Sequence, residues 1–249
     1  MITLKSAREL DTMARAGRIV YETLELMRTV VKPGATTEDL DREAEKFIRS
    51  HPGAKPSFKG LYGFPKTLCT PIDTEIVHRI PSVKRALVEG SIVSVDVGVC
   101  VDGLHADSAA TIPVGTINAD VERLLAVTQE CLAAGIAAAV TGNHVGDIGH
   151  AVQQVAEAAG FGVVRELVGH GIGARFHEEP QVPNFGSPGR GPALREGMTL
   201  AIEPMITMGK PATKTLSDKW TVVTLDGSLS AHFEHTVAVT ANGPRILTR

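Results

Sequence analysis

The sequence predicts a mixed α/β (α+β) domain made of two similar halves. Three observations lead there. Apolar residues in the opening segment recur every three or four positions, the period of a buried helix face. Apolar, β-branched runs separated by an Asp-Gly pair come next, the pattern of a hairpin. The same order, helices and then strands, recurs in the second half and suggests an internal duplication.

The first helix starts at Ser6-Ala7-Arg8-Glu9, a capping box that satisfies free amides reciprocally. Leu10, Met13, Gly17, Val20, Leu24, Met27 and Val31 mark its buried face, and Pro33-Gly34 stops it. A second helix begins at Thr36 or Thr37 and runs to about Ser50. Residues 51–70 are rich in Gly, Pro and aromatic residues and predict an irregular segment with one short strand. Phe58, Tyr62 and Phe64 lie there, three of ten aromatic residues, and mark it as a pocket lining. Residues 92–99 form a strand, Asp102-Gly103 a two-residue turn, and 104–112 the returning strand. Helices over 120–140 and 148–159 follow, with Gly142 and Gly160 as stops. A strand over 163–168 leads to His170, and 198–207 is another. Residues 220–225, Asp226-Gly227 and 230–239 read as a last hairpin. No linker long enough to separate a pair of domains interrupts residues 1–249, which read as a single catalytic domain.

Composition narrows the function class. The 249 residues are 43% hydrophobic and 21% charged, with a formal charge of −3. No basic stripe speaks for a specific nucleic-acid partner, and no run reaches the roughly 20 apolar residues of a membrane span. Lys5, Arg8, Glu9 and Asp11 occupy the place where a secretory signal would carry its apolar region. Cys69, Cys100 and Cys131 are odd in number and scattered, as in a reducing compartment, and read as small buried apolar residues. The expectation is a soluble, cytoplasmic protein.

Four acids stand in apolar strand settings. Asp is a poor strand former and is costly to bury, yet Asp96 sits inside the 92–99 run. With Asp102-Gly103 as the turn, Asp96 faces Ala109, and Asp107 is its diagonal neighbour, roughly 7–8 Å away on the same face. Two carboxylates so placed repel unless a cation lies between them. Glu203 precedes Pro204 in another apolar strand, and Glu234 lies in a strand-like run. His170 stands between glycines. Singly, each reads as an ordinary strand residue. Together they cannot be buried bare, and two divalent cations would balance the four carboxylates. Oxygen donors with an imidazole suit Mn, Fe, Co or Zn. Two such ions about 3.5–4 Å apart suit hydrolysis of a carbonyl.

Competing motifs are incomplete. His177-Glu178-Glu179-Pro180-Gln181 lacks the second histidine of a zincin helix, and no Gly-x-Ser-x-Gly elbow occurs. Among the other histidines, His105 shares the face of Asp107 and His232 that of Glu234, whereas His235 points to the opposite face. His51, His144 and His150 read as surface or helix-start residues.

The run over 166–186, ELVGHGIGARFHEEPQVPNFG, and the run over 197–205, GMTLAIEPM, resemble the signatures of type I methionine aminopeptidases of the compact bacterial type. The resemblance spans essentially the whole chain. It implies a duplicated pita-bread fold, a central curved antiparallel sheet flanked by helices in pseudo-two-fold halves. It implies removal of the N-terminal methionine from nascent proteins whose second residue is small. By this resemblance Asp96 chelates one metal ion, His170 and Glu203 hold the other, and Asp107 and Glu234 bridge both. Glu203 also relays a proton to the leaving amine. His177 hydrogen-bonds the scissile carbonyl, and His78 contacts the substrate backbone. Phe58, Leu61, Phe64, Cys69, Phe176 and Trp220 line the methionine pocket. A monomer, transient ribosome contact and a monovalent-cation site near residue 73 are further expectations.

The chain departs from the family pattern before and after His78. Asp73 and Thr74 stand where Asn and Glu are usual, and Arg79 where Gly is usual. Two other classes compete. A non-catalytic pita-bread binding protein generally loses metal ligands, and all five are present here. Prolidases and aminopeptidase P usually carry an extra N-terminal domain and tend to have Gly after Glu-Pro, where this chain has Met205.

Overall fold

The computed structural model describes residues 2–249. Helix α1 (Ala7–Val30) opens on the expected capping box. The Glu9 amide donates to Ser6 Oγ, and the Ser6 amide donates to the Glu9 carboxylate. Helix α2 (Thr37–Arg49) repeats the device with Thr36 and Asp39.

The irregular segment yields two short strands rather than one, β1 (Ala54–Pro56) and β2 (Leu68–Cys69), with a 3-10 turn over Leu61–Gly63 between them. Both exist because a long neighbour pairs with them: Ala54 faces Val101, and Cys69 faces Asp96. After β3 (Glu75–Val77) come β4 (Ile92–Val101) and β5 (Leu104–Pro113). Their register is the expected one, with Asp96 opposite Ala109 and Gly98 opposite Asp107. Asp102 (φ 49°) and Gly103 (φ 80°) both take left-handed conformations, as a two-residue turn of this hand requires.

Helices α3 (Ala119–Ala138) and α4 (Val145–Ala158) follow. Helix α4 starts three residues before the expected 148, because the His144 amide donates to the Asp147 carboxylate and caps it there.

The second half differs more from the sequence reading. The strand over 163–168 shortens to β6 (Gly162–Val163), and His170 lies in a separate strand, β7 (Gly169–Gly171), followed by β8 (Glu178–Val182). The strand over 198–207 breaks at Glu203-Pro204 into β9 (Thr199–Ile202) and β10 (Met205–Thr207). Pro204 has no amide hydrogen to continue a ladder, and the two pieces join different sheets. The remaining strands are β11 (Thr213–Thr215), β12 (Val222–Thr224), β13 (Ser230–His232), β14 (His235–Thr240) and β15 (Gly243–Ile246). The expected hairpin over 220–239 does not form. β12 pairs with β3 and β11, whereas β13 pairs with β10. Residues 208–212 occupy both flanks instead: the Leu225 amide donates to Ala212 O, and the Met208 amide donates to Leu229 O.

Helices α1 and α2 pack on the strands of the first half, α3 and α4 on those of the second. The pairings β4–β5 and β9–β14 are antiparallel in both halves. The halves meet where β5 lies beside β14, and side chains stitch that seam. Thr236 Oγ1 accepts the Asp107 amide (2.9 Å) and donates to Asp107 O (2.8 Å). The Glu234 amide donates to Ala109 O (2.9 Å). One apolar cluster, including Val95, Val97, Leu124, Leu200 and Val237, fills the space between strands and helices. Among the described residues no helix is long and apolar enough to cross a membrane.

Candidate active site

The seam and the strand breaks place the acids. Asp96 and Asp107 project from β4 and β5. Glu203 and Glu234 occupy the gaps after β9 and before β14. Ile202 pairs with His235, so one step further Glu203 stands opposite Glu234. His170, at the centre of β7, pairs with Ala201. Its Nε2 is 3.8 Å from Glu203 Oε1 and 4.0 Å from Asp107 Oδ2. One donor atom each from Asp107, His170 and Glu234 lie within 4.8 Å of one another, as do donors from Glu203, His232 and Glu234. Asp107, His170, Glu203 and Glu234 thus converge, and Asp96 lines the same cavity. His232, for which the sequence offered only its alternation with Glu234, joins them with Nε2 3.4 Å from Glu203 Oε2.

This cluster is electrostatically frustrated by itself. Asp96 Oδ1, Asp107 Oδ1, Glu234 Oε1 and both ring nitrogens of His232 are buried with no hydrogen-bond partner among the described residues. Burial, and after it the neighbouring acids, push Asp107 and Glu234 well above the usual carboxylate range. Burial lifts Asp96 to about 7, with His232 opposing and Glu203 assisting. Carboxylates without donors, an imidazole and mutual repulsion fit divalent cations, which would satisfy the free oxygens and cancel the charge.

The same shifts predict how the metal-free protein responds to pH. An acid whose pKa is raised on folding binds its proton more tightly in the folded state. It therefore withdraws stability as pH rises toward the folded value. His78, His177 and His235 oppose this at lower pH. Burial keeps them neutral, with His177 and His235 pushed down to about 4, so their contribution grows until the unfolded value of 6.5 is passed. The net loss is therefore expected from about pH 6.5 upward, through about 7 where Asp96 titrates. Thermal melts of chelator-treated protein between pH 6 and 9 check this. Added divalent metal should reverse the loss, by about 2.7 kcal/mol at a hundredfold excess over Kd. A metal-free melting temperature that climbs across the window would refute the assignment.

A cavity of about 140 Å³ opens from the cluster. At its polar end stand the acids, His78 and His177; Phe58, Leu61, Phe64, Cys69, Phe176 and Trp220 line the rest. Phe58 packs edge-on against Phe176, and Phe64 against Trp220, with ring centroids 5.3 and 5.2 Å apart. Gly98 makes room for this wall: a Cβ there would lie 2.7 Å from Phe176 and 3.0 Å from Phe58. A larger hollow, about 500 Å³, lies between α1 and α3 behind the sheets, floored by small residues such as Ala109 and Ala133 and away from His78 and His177.

His177 stacks on Tyr62 at 5.7 Å, and its Nδ1 is 3.3 Å from the Tyr62 hydroxyl. Burial, then the charge of His170, lowers it to about 4, so it is neutral near pH 7. The loop behind it is tied down by Glu178, which accepts from Lys5 Nζ (2.6 Å) and the Arg175 amide (3.1 Å). His78 holds a left-handed conformation, φ 59°. The sequence reading missed Tyr62 as a partner of His177; its one signal was the aromatic run it belongs to. His235 bonds Thr248 and points away, as alternation predicts. His105 bonds Ser57 and packs on Phe176 at the pocket's back. At residue 73, the Asp73 carboxylate accepts the Ile92 amide and its carbonyl accepts the Ser230 amide.

Residues 11–241 match metallopeptidase family M24. A methionine aminopeptidase of Clostridium perfringens is 54% identical over 248 residues, covering 100% of this chain and 99% of its own. Methionine aminopeptidase 1 of Bacillus subtilis is 50% identical, with both chains covered completely. The crystal structure of methionine aminopeptidase from Thermotoga maritima superposes with a TM-score of 0.98 at 42% identity, over 100% of each chain.

Proposed function

Because the chain belongs to metallopeptidase family M24, and within it to the methionine aminopeptidases, we propose a role for each residue of the cavity in the removal of N-terminal methionine. The enzyme is a metallopeptidase of the pita-bread fold, and divalent metal ions are its cofactors. Our reading is that Asp96, Asp107, His170, Glu203 and Glu234 would hold two such ions, with Co, Mn, Fe or Zn as the candidate metals. Ions so held supply Lewis acidity toward the peptide carbonyl and lower the pKa of water toward neutrality.

The chain's own groups do the rest. Glu203, against the cluster and 13% exposed, takes the proton of the attacking water and passes it to the leaving amine as the C–N bond breaks. With Nδ1 of His177 accepting from the Tyr62 hydroxyl, Nε2 carries the proton and donates to the carbonyl oxygen as negative charge develops there. His78, neutral through burial, contacts the substrate backbone beside the scissile bond. The apolar end of the cavity takes the methionine side chain, and a small second residue fits best. We take residues 1–249 as one catalytic domain, a cytoplasmic monomer acting on nascent chains with transient ribosome contact. A Cys-poor chain without a membrane helix among its described residues supports the compartment.

One observation carries the reading: partnerless buried acids and His170 close one end of a cavity whose other end is aromatic and apolar. The test is to strip the protein of metal, restore Mn, Co, Fe or Zn singly, and assay Met-Ala-Ser beside Leu-starting and Xaa-Pro peptides. Metal-restored release of free methionine is expected. Cleavage confined to the Xaa-Pro peptide would transfer the enzyme to the prolidase side of the fold.

A further inference from the structure

Arg79 follows His78 directly, yet its side chain reaches away from the metal cluster. Its backbone is pinned at the pocket, where the Thr70 amide donates to Arg79 O (2.9 Å). Its guanidinium lies between two carboxylates. Nη1 is 3.4 Å from Asp218 Oδ2 and donates to Thr221 Oγ1 (3.3 Å), while Nε is 3.6 Å from Glu75 Oε1. Glu75 is itself anchored, since it accepts from Arg85 (2.9 Å) and from the Ile72 amide (2.9 Å).

On the far side, Asp218 organises the turn over 216–221. Its Oδ1 accepts the amides of Trp220 (3.0 Å) and Thr221 (2.9 Å), and Oδ2 accepts the Thr221 hydroxyl (2.6 Å). The turn contains Lys219 at φ 64°, a conformation that a residue with a side chain adopts only when its surroundings impose it. The ladder between β3 and β12 ends at Val77 and Val222, so the turn projects beyond it. Trp220, carried on that turn, packs edge-on against Phe64 and lines the cavity.

We propose that Arg79 is a positioning residue for specificity: it ties the 216–221 turn to the β3 anchor and so holds Trp220 as a fixed wall of the methionine pocket. The inference rests on the reading of this cavity as the site for the methionine side chain. A planar guanidinium suits the task because it presents separate N–H groups to both carboxylates, which a single ammonium cannot match. The pair is about one-quarter to one-third exposed at each partner (25% and 33%), so salt screens it to some extent and the effect is on positioning rather than on folding.

Trp220 is the only tryptophan in the chain, and its fluorescence therefore reports the wall directly. In Arg79→Ala we expect Trp220 to become more accessible to acrylamide and its emission to move to the red. KM for Met-Ala-Ser should rise about three- to fivefold with kcat nearly unchanged, and preference for Met-Ala-Ser over Leu-Ala-Ser should fall. Asp218→Asn, which keeps the oxygen acceptor for the turn amides but not the charge, should reproduce the effect. Arg79→Lys should restore it partially. These two variants carry the test if Arg79→Ala does not fold. Unchanged quenching, KM and Met/Leu preference in folded variants would overturn the proposal, as would a lowered melting temperature as the sole change. Quenching is read on the free protein, so a wild type that releases no methionine would refute the functional reading without touching the clamp.

Discussion

Asp107→Asn is expected to lower kcat/KM for methionine release at least about a thousandfold while making the metal-free protein more stable. The two effects have one cause. Asp107 is buried (4% exposed), lacks a partner for Oδ1, and faces Asp96, Glu203 and Glu234. An amide has nearly the same shape but brings no charge, so it would hold divalent cations far less well. Relieved of repulsion from the neighbouring acids, the metal-free fold gains stability. The backbone has no reason to move, because Thr236 holds the Asp107 amide and carbonyl rather than its side chain. Metal titration, steady-state assays and melts at pH 8 check both halves. Retention of more than about a tenth of wild-type kcat/KM would remove Asp107 from the reaction centre.

His177→Ala is expected to reduce kcat about 100- to 1000-fold, the usual consequence of losing a donor aimed at developing oxyanion charge, with a much smaller change in KM. The ring stands 4.4 Å from His170 and is oriented by Tyr62. Because burial places its titration at about 4, protonation of His177 should not limit the rate between pH 5 and 7. An acid limb that disappears from that range in the variant would show that His177 titrates there and would contradict its assignment as a neutral donor. A KM rise with kcat intact would make it a binding residue only.

Much of the site was legible because it is written locally. The Asp102-Gly103 turn and strand alternation sufficed to put Asp96 and Asp107 on one face, and the structure has that register. Acids amid apolar strand residues stand out because burial is costly, so Glu203 and Glu234 announced themselves without any tertiary information. The capping box located the start of α1 for the same reason: its donors and acceptors lie within four residues.

What failed was the choice of partner at long range. The residues over 220–239 read as a hairpin, yet their strands belong to different sheets, because residues 208–212 take the hydrogen bonds on both flanks. Pro204 signalled an interruption that the strand over 198–207 ignored. Tyr62 reaches His177 across more than a hundred residues, and Arg79 reaches Asp218 likewise.

By itself, then, the sequence determined the helices, the first hairpin and which acids stand in apolar strand settings. Only the tertiary structure decided that β5 lies beside β14 with Thr236 bonded to Asp107, that His232 enters the cluster, and that Trp220 is held from the β3 side. Periodicity and turns report hydrogen bonds closed within a few residues, whereas the seam between the halves is selected by which faces can be buried against each other, a property of the assembled chain.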